Sequence, residues 1–161
     1  MPKIQHYAFK TEYPHLSFQL ITEAEVHDAS NPNKKSKVTA LWDTGAMLSA
    51  ITPKVARNLN LIPINRIKVN GINNFSMADV VEISIGLPNK VMVDDVDVTV
   101  CGLVKNVDLL IGMDIILLGD FSISNSEGKT LFSFVIPPFE NKTDLYEKAL
   151  AVNKRNIKGN E

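Results

Sequence analysis

A mainly β fold is what this 161-residue sequence predicts, on three observations. Val, Ile and Leu fall in short runs separated by turn-forming residues. Residues 91–100 (VMVDDVDVTV) alternate between apolar and polar, the period of a half-buried strand. Residues 107–111 (VDLLI) are almost continuously apolar, as in a buried strand. The hydrophobic fraction is 45% and the charged fraction 22%. A chain of this length and composition can bury a sizeable core without disulfides or metal.

The elements follow in order. Residues 15–22 (HLSFQLIT) alternate imperfectly and read as a strand, and residues 37–42 (KVTALW) as a second strand paired with it. Between them, residues 23–37 are polar, with Asp28-Ala29-Ser30-Asn31-Pro32-Asn33 at the centre, and read as a loop or hairpin tip. Thr52 suits a helix N-cap and Pro53 the first helical position, so a short helix runs from there to about residue 60. Residues 64–70 and 78–85 flank Gly71-Ile72-Asn73-Asn74 as a long hairpin with a Gly/Asn-rich tip. A short apolar helix is expected over residues 113–118, with Gly119 as its C-cap. Residues 121–125 and 130–136 are two further strands joined by Ser126-Glu127-Gly128. Pro137-Pro138 ends the compact part, residues 143–153 have helical spacing, and residues 153–161 form a polar, frayed tail. The expected organisation is one domain over residues 1–138 and a C-terminal helix and polar tail over residues 139–161.

Composition removes several classes of function. Formal net charge is −1, which gives no electrostatic reason to expect nucleic acid or an anionic membrane as a partner. Cys101 is the single cysteine, so no intrachain disulfide forms and a reducing compartment suits the chain. The first residues are polar and carry no apolar core of signal-peptide length, and no apolar run is long enough to span a bilayer. A cytoplasmic location is expected. His6, His15 and His27 are scattered, and no metal site and no cofactor are expected.

The chemistry centres on Ala40-Leu41-Trp42-Asp43-Thr44-Gly45-Ala46. A carboxylate at the end of an apolar strand lies near the core and requires hydrogen-bond donors. Gly45 lets the backbone turn tightly and brings amides towards that carboxylate, and the Thr44 hydroxyl can brace the loop. Alone, Asp-Thr-Gly is also an ordinary turn at a strand end. Three companions follow in order: residues 51–61, the Val69-Asn70-Gly71-Ile72-Asn73-Asn74 tip, and Leu109-Leu110-Ile111-Gly112-Met113-Asp114-Ile115-Ile116. Together these motifs resemble the retropepsin-like, single-domain branch of the aspartic proteases, over residues 18–138. Residues 111–125 (IGMDIILLGDFSISN) are similar to the end of its bacterial members. Met113 departs from the Arg usual in viral members, Trp42 is bulkier than the usual residue before the acid, and the chain ends do not match the interleaved terminal strands of viral dimers.

The resemblance implies an acid-protease closed β-barrel half, with short helices after the catalytic loop and after the second glycine loop. It implies an aspartic endopeptidase with Asp43 as catalytic residue and Thr44, Gly45 and Ala46 supporting its loop. Asn70, Gly71, Ile72 and Asn73 would form a flap over an extended polypeptide substrate, and Ile111, Gly112 and Asp114 a second supporting loop. Ile51, Ile72 and Met77 are candidates for an apolar cleft. The chain holds a single Asp-Thr-Gly, so the second carboxylate is expected from Asp43 of a second copy in a homodimer. The alternative is a catalytically silent module that kept the fold for dimerisation or peptide binding.

Overall fold

The computed structural model describes residues 4–70 and 75–158. In chain order its elements are β1 (Tyr7–Tyr13), β2 (Leu20–Asp28), β3 (Asn31–Trp42), β4 (Ala50–Ile51), α1 (Pro53–Asn58), β5 (Asn65–Asn70) and β6 (Phe75–Gly86), followed by β7 (Met92–Val100), β8 (Leu109–Ile111), α2 (Met113–Ile116), β9 (Asp120–Ser126), β10 (Lys129–Ile136) and α3 (Leu145–Lys158). Strands dominate, as the period-2 patterning predicts.

Seven strands form one sheet in the order β2-β3-β8-β4-β7-β6-β5. An additional antiparallel pairing of β2 with β6, from Glu25↔Gly86 to Asp28↔Ile83, bends this sheet back on itself and leaves β5 outside the ring. Val26, Ala40, Ile51, Ile83, Val98 and Leu109 are fully buried. The other sheet has three strands in the order β1-β10-β9. Its β9–β10 hairpin turns through Glu127 at φ 52° and Gly128 at φ 73°, the two left-handed positions that a tight hairpin requires.

Trp42 joins the two sheets. It is the last residue of β3 and is 4% exposed. Its ring lies 4.8 Å from Phe134, 5.2 Å from Phe132, 5.7 Å from Phe9 and 6.3 Å from Phe121. Tilted aromatic pairs at these separations add about 0.5–1.5 kcal/mol each beyond buried area. The indole Nε1 donates to Thr22 Oγ1 at 2.9 Å, which satisfies its one polar group inside the core. The bulk of Trp42 thus fixes the β1-β10-β9 sheet against the strand that leads into Asp43.

Five expectations change. Of the strand expected over residues 15–22 only residues 20–22 lie in β2, because residues 15–19 form the bend that leads into it. Residues 23–37 are mostly strand: β2 runs to Asp28 and β3 begins at Asn31. Thr22 and Ala24 occupy inward positions between Leu20 and Val26, so the alternation is weak in hydrophobicity although it is strict in burial. β1 has no counterpart in the sequence reading, because none of its residues is fully buried and only its two aromatics Phe9 and Tyr13 pack against the core. Gly119 does not cap α2, whose C-cap is Leu117. A Cβ at Gly119 would meet the Val135 carbonyl oxygen, so glycine is needed for close backbone approach. Helix α3 extends to Lys158, beyond the expected end at 153.

At the far end of the β2–β3 hairpin two carboxyls are held below their ordinary range. For Asp28 the leading cause is the Ser30 hydroxyl, which donates at 2.6 Å, and Ser30 N and Lys34 assist against partial burial. For Glu25 it is the His27 ring at 3.1 Å, assisted by Lys35. A carboxyl whose pKa is lowered by folding contributes stability above its unfolded pKa and loses it as pH falls through the folded value. Melting temperature should therefore fall as pH is lowered below about 4.5. Scanning calorimetry of Asp28→Asn should show a lower melting temperature at neutral pH and a shallower decline in acid. A decline identical to that of the wild type would remove Asp28 as a contributor.

Candidate active site

The site is built where β3 and β8 run parallel. Their register sets Ala40 against Leu109, Leu41 against Leu110 and Trp42 against Ile111. The next residue, Asp43, donates its N–H to the Ile111 carbonyl at 2.9 Å. The loop carrying Asp43 therefore leaves the sheet beside the loop carrying Gly112.

Within the first loop, Gly45 N donates to Asp43 Oδ1 at 2.8 Å and Ala46 N to the Asp43 carbonyl at 3.2 Å. A Cβ on Gly45 would stand 3.1 Å from Asp43 Oδ1, so glycine lets this amide reach its own carboxylate without displacing it. Asp43 and Ala46 are half-buried, and Thr44 and Gly45 are exposed. The second loop then clamps the first. Met113 N donates to the Ala46 carbonyl at 2.8 Å and Asp114 N to the Met47 carbonyl at 3.1 Å. A Cβ on Gly112 would lie 2.7 Å from the Leu48 carbonyl carbon and 2.8 Å from its oxygen.

Asp114 and Ser49 lock the pair of loops. Ser49 N donates to Asp114 Oδ2 at 2.9 Å and Ser49 Oγ to Asp114 Oδ1 at 2.8 Å. Ser49 Oγ in turn accepts from Gly112 N at 3.0 Å, and Asp114 Oδ1 also accepts from Ile115 N. Ser49 is completely buried, and its hydroxyl is satisfied as donor and acceptor. Sequence reasoning singled out Gly112 and Asp114 but missed Ser49. A lone serine between Leu48 and Ala50 carries no local signal, since its partner lies 65 positions away. Met113 supplies packing against the core rather than a charge.

A groove of about 520 Å³ opens beside Asp43 and Thr44, lined also by Phe18, Leu20, Trp42, Phe121 and Ile123, among others. Asp43 is the one acidic residue among those lining it. Asp79, Asp108 and Asp120 are engaged elsewhere: with Arg66 at 3.0 Å, with Lys54 at 3.8 Å, and with Phe139 N at 2.8 Å. A larger depression of about 620 Å³, bounded by Pro53, Arg57, Asn60 and Asp79, does not include the Asp43 loop. Among the described residues, no group of three or more His, Cys, Asp or Glu is placed to hold a metal.

The hairpin expected over the cleft is present as β5 and β6, paired from Asn65↔Val80 to Asn70↔Phe75. Asn70 ends β5, and Gly71, Ile72 and Asn73 lie outside the described residues. Of the other cleft candidates, Met77 is 57% exposed. Ile51 is not a cleft residue: it has no exposed surface, because β4 is wedged between β7 and β8. Two apolar residues that the sequence reading did not single out, Met47 and Leu48, are 82% and 55% exposed directly after the Asp43 turn.

A family model described as aspartyl protease matches residues 23–115, a span that takes in both loops. The chain belongs to the aspartyl protease family. A crystal structure of a retropepsin-like aspartic protease from Rickettsia conorii is similar with a TM-score of 0.51 at 17% identity, covering 84% of this chain and 98% of that one. A solution structure of the Simian Foamy Virus (mac) protease gives a TM-score of 0.46 at 18% identity, covering 61% of this chain and 92% of that one. Comparison with curated proteins gave no match. The fold is thus the mainly β fold of retropepsin-like aspartic proteases, with α1 after the Asp43 loop and α2 after the Gly112 loop.

Two substitutions test the clamp. Gly112→Ala should destabilise the fold by about 1–3 kcal/mol in chemical denaturation, since the new methyl meets backbone rather than a movable side chain. Asp114→Ala leaves Ser49 N and Ile115 N without their carboxylate acceptor and should lose about 2–3 kcal/mol. If either variant unfolds at the wild-type denaturant midpoint, the two loops do not depend on each other as described.

Proposed function

We propose that this chain is an aspartic endopeptidase acting as a homodimer, with one composite site made by Asp43 of each copy. The observation that carries this reading is the lone Asp43 carboxylate in a groove of mixed polar and apolar lining, held by its own loop amide, in a chain of the aspartyl protease family. Two carboxylates brought within about 3 Å share one proton, the arrangement known from aspartic-protease dyads, because both charges together repel. The ionised partner removes a proton from a water held between them. The protonated partner polarises the scissile carbonyl and later protonates the leaving amine.

The remaining residues have supporting roles. Gly45 N–H orients the Asp43 carboxylate, and Thr44 of each copy braces the paired loops. Ile111, Gly112 and Asp114 hold the loop from behind. In this reading the β5–β6 hairpin closes over an extended peptide and excludes water, the part that the family resemblance gives to Asn70, Gly71, Ile72 and Asn73. The peptide adds to the site as a strand, with alternate side chains entering pockets. Met47 and Leu48, exposed beside the turn, favour apolar side chains there. Residues 1–138 are taken as the catalytic domain and residues 139–161 as an appendage.

Cleavage of casein or a peptide library should be detectable for the wild type. It should fall on the order of 10³-fold or more in kcat/KM for Asp43→Asn, which retains shape but removes the acid and base. Cleavage that survives this substitution would eliminate the assignment. A wild type that binds peptides but cleaves none would instead favour the silent module.

A further inference from the structure

We propose that the second copy docks on the face formed by the turn at residues 17–19 and the outer edge of β9, each copy's Phe18 entering the groove of the other. This rests on the homodimeric reading above and names the surface that reading requires.

Phe18 is fully exposed, at 104% of its reference surface. An aromatic side chain standing free in water forgoes burial that it would gain in an interface. The turn that carries it is held in place. Ser17 N donates to Thr130 Oγ1 at 3.0 Å, Ser17 Oγ to the Gln19 carbonyl at 2.6 Å, and Thr130 N to the His15 carbonyl at 3.2 Å. Thr130 is 1% exposed, and its hydroxyl donates to Asn125 Oδ1 of β9. Phe18 is therefore presented by an ordered turn tied to β9 and β10. Anchors already ordered before docking lose less entropy on association.

The strand edges point the same way. Among the described residues β9 pairs only with β10, so its other edge offers unpaired backbone groups. Solvent-facing edges are commonly guarded by charge. β1 carries Lys10 and Glu12, and β5 carries Arg66 and Lys68. After Asp120, whose carboxylate is engaged with Phe139 N, β9 reads Phe-Ser-Ile-Ser-Asn-Ser with no charge. β9 is thus the unguarded edge of the three, and its Phe121 and Ile123 line the groove that reaches Asp43 and Thr44.

The occupant follows from the incomplete site. A second carboxylate must arrive beside Asp43, so the body that brings it covers surface next to Asp43 and Thr44. A twofold interface is self-complementary, the same patch meeting itself. This patch carries both parts of such a contact: a projecting aromatic, and a groove with volume for one whose wall includes Leu20, Trp42, Phe121 and Ile123 among polar residues.

Sedimentation equilibrium and peptide cleavage should be measured together on wild type, Phe18→Asp, Ile123→Lys and the control Ile62→Asp, whose target is also 81% exposed but does not line this groove. Circular dichroism checks that each is folded. Phe18→Asp and Ile123→Lys should raise the dimer dissociation constant on the order of 100-fold, the loss expected for a central aromatic anchor. Their activity should return as enzyme concentration is raised, and Ile62→Asp should match wild type. A wild-type dissociation constant in both groove variants overturns this surface and leaves the homodimeric reading standing. Tight dimers with only a raised peptide KM would make the groove a substrate pocket and also overturn it. A wild type that cleaves peptide while monomeric at every concentration would defeat the homodimeric reading itself.

Discussion

The interaction on which the rest depends is the contact between two loops that leave parallel strands side by side. β3 and β8 are short of other means to hold Asp43: the loop after Trp42 is exposed and β8 has three residues. Its placement comes from backbone bonds across to Ile111, Met113 and Asp114 and from the buried Ser49–Asp114 pair behind them. Charged hydrogen bonds among partly buried groups are stronger than neutral ones, and every donor here has an acceptor with defined geometry. The proposed pairing of Asp43 with a second carboxylate calls for this rigidity, because small displacements of reacting groups are expensive in rate.

Behind the clamp, the chain packs hydrocarbon and aromatic surface. Met113 packs on the core, and the polar load falls on Asp114, which bonds backbone amides and a serine hydroxyl. Trp42 performs a second task. By burying its ring among four phenylalanines and its N–H on Thr22, it fastens the β1-β10-β9 sheet to the end of β3. The position of β9 relative to Asp43 is therefore set by the residue adjacent to the acid. That coupling ties the surface proposed for the second copy to the carboxylate that needs it.

Much of the site was legible in the sequence because its signals are local. Asp43 to Ala46 and Ile111 to Asp114 are short motifs, and the strands around them alternate or run apolar over single windows. The N-cap at Thr52 with Pro53 behind it also held, with Thr52 Oγ1 accepting from Val55 N. Other features left weaker traces. β2 hides its core face behind a threonine and an alanine, β1 packs only Phe9 and Tyr13 inward and buries neither fully, and Gly119 is required by a strand 16 positions later rather than by the helix before it.

The sequence by itself determined the mainly β class, the Asp43 loop and the Gly112 loop, because each is written in adjacent residues. Only the tertiary structure decided that Ser49 is the partner of Asp114, that Ile51 belongs to the core rather than the cleft, and that Phe18 and the uncharged edge of β9 border the groove beside Asp43. Those are matters of register between segments far apart in the chain. A shift of one residue in either strand would exchange their inward and outward faces without altering any local pattern.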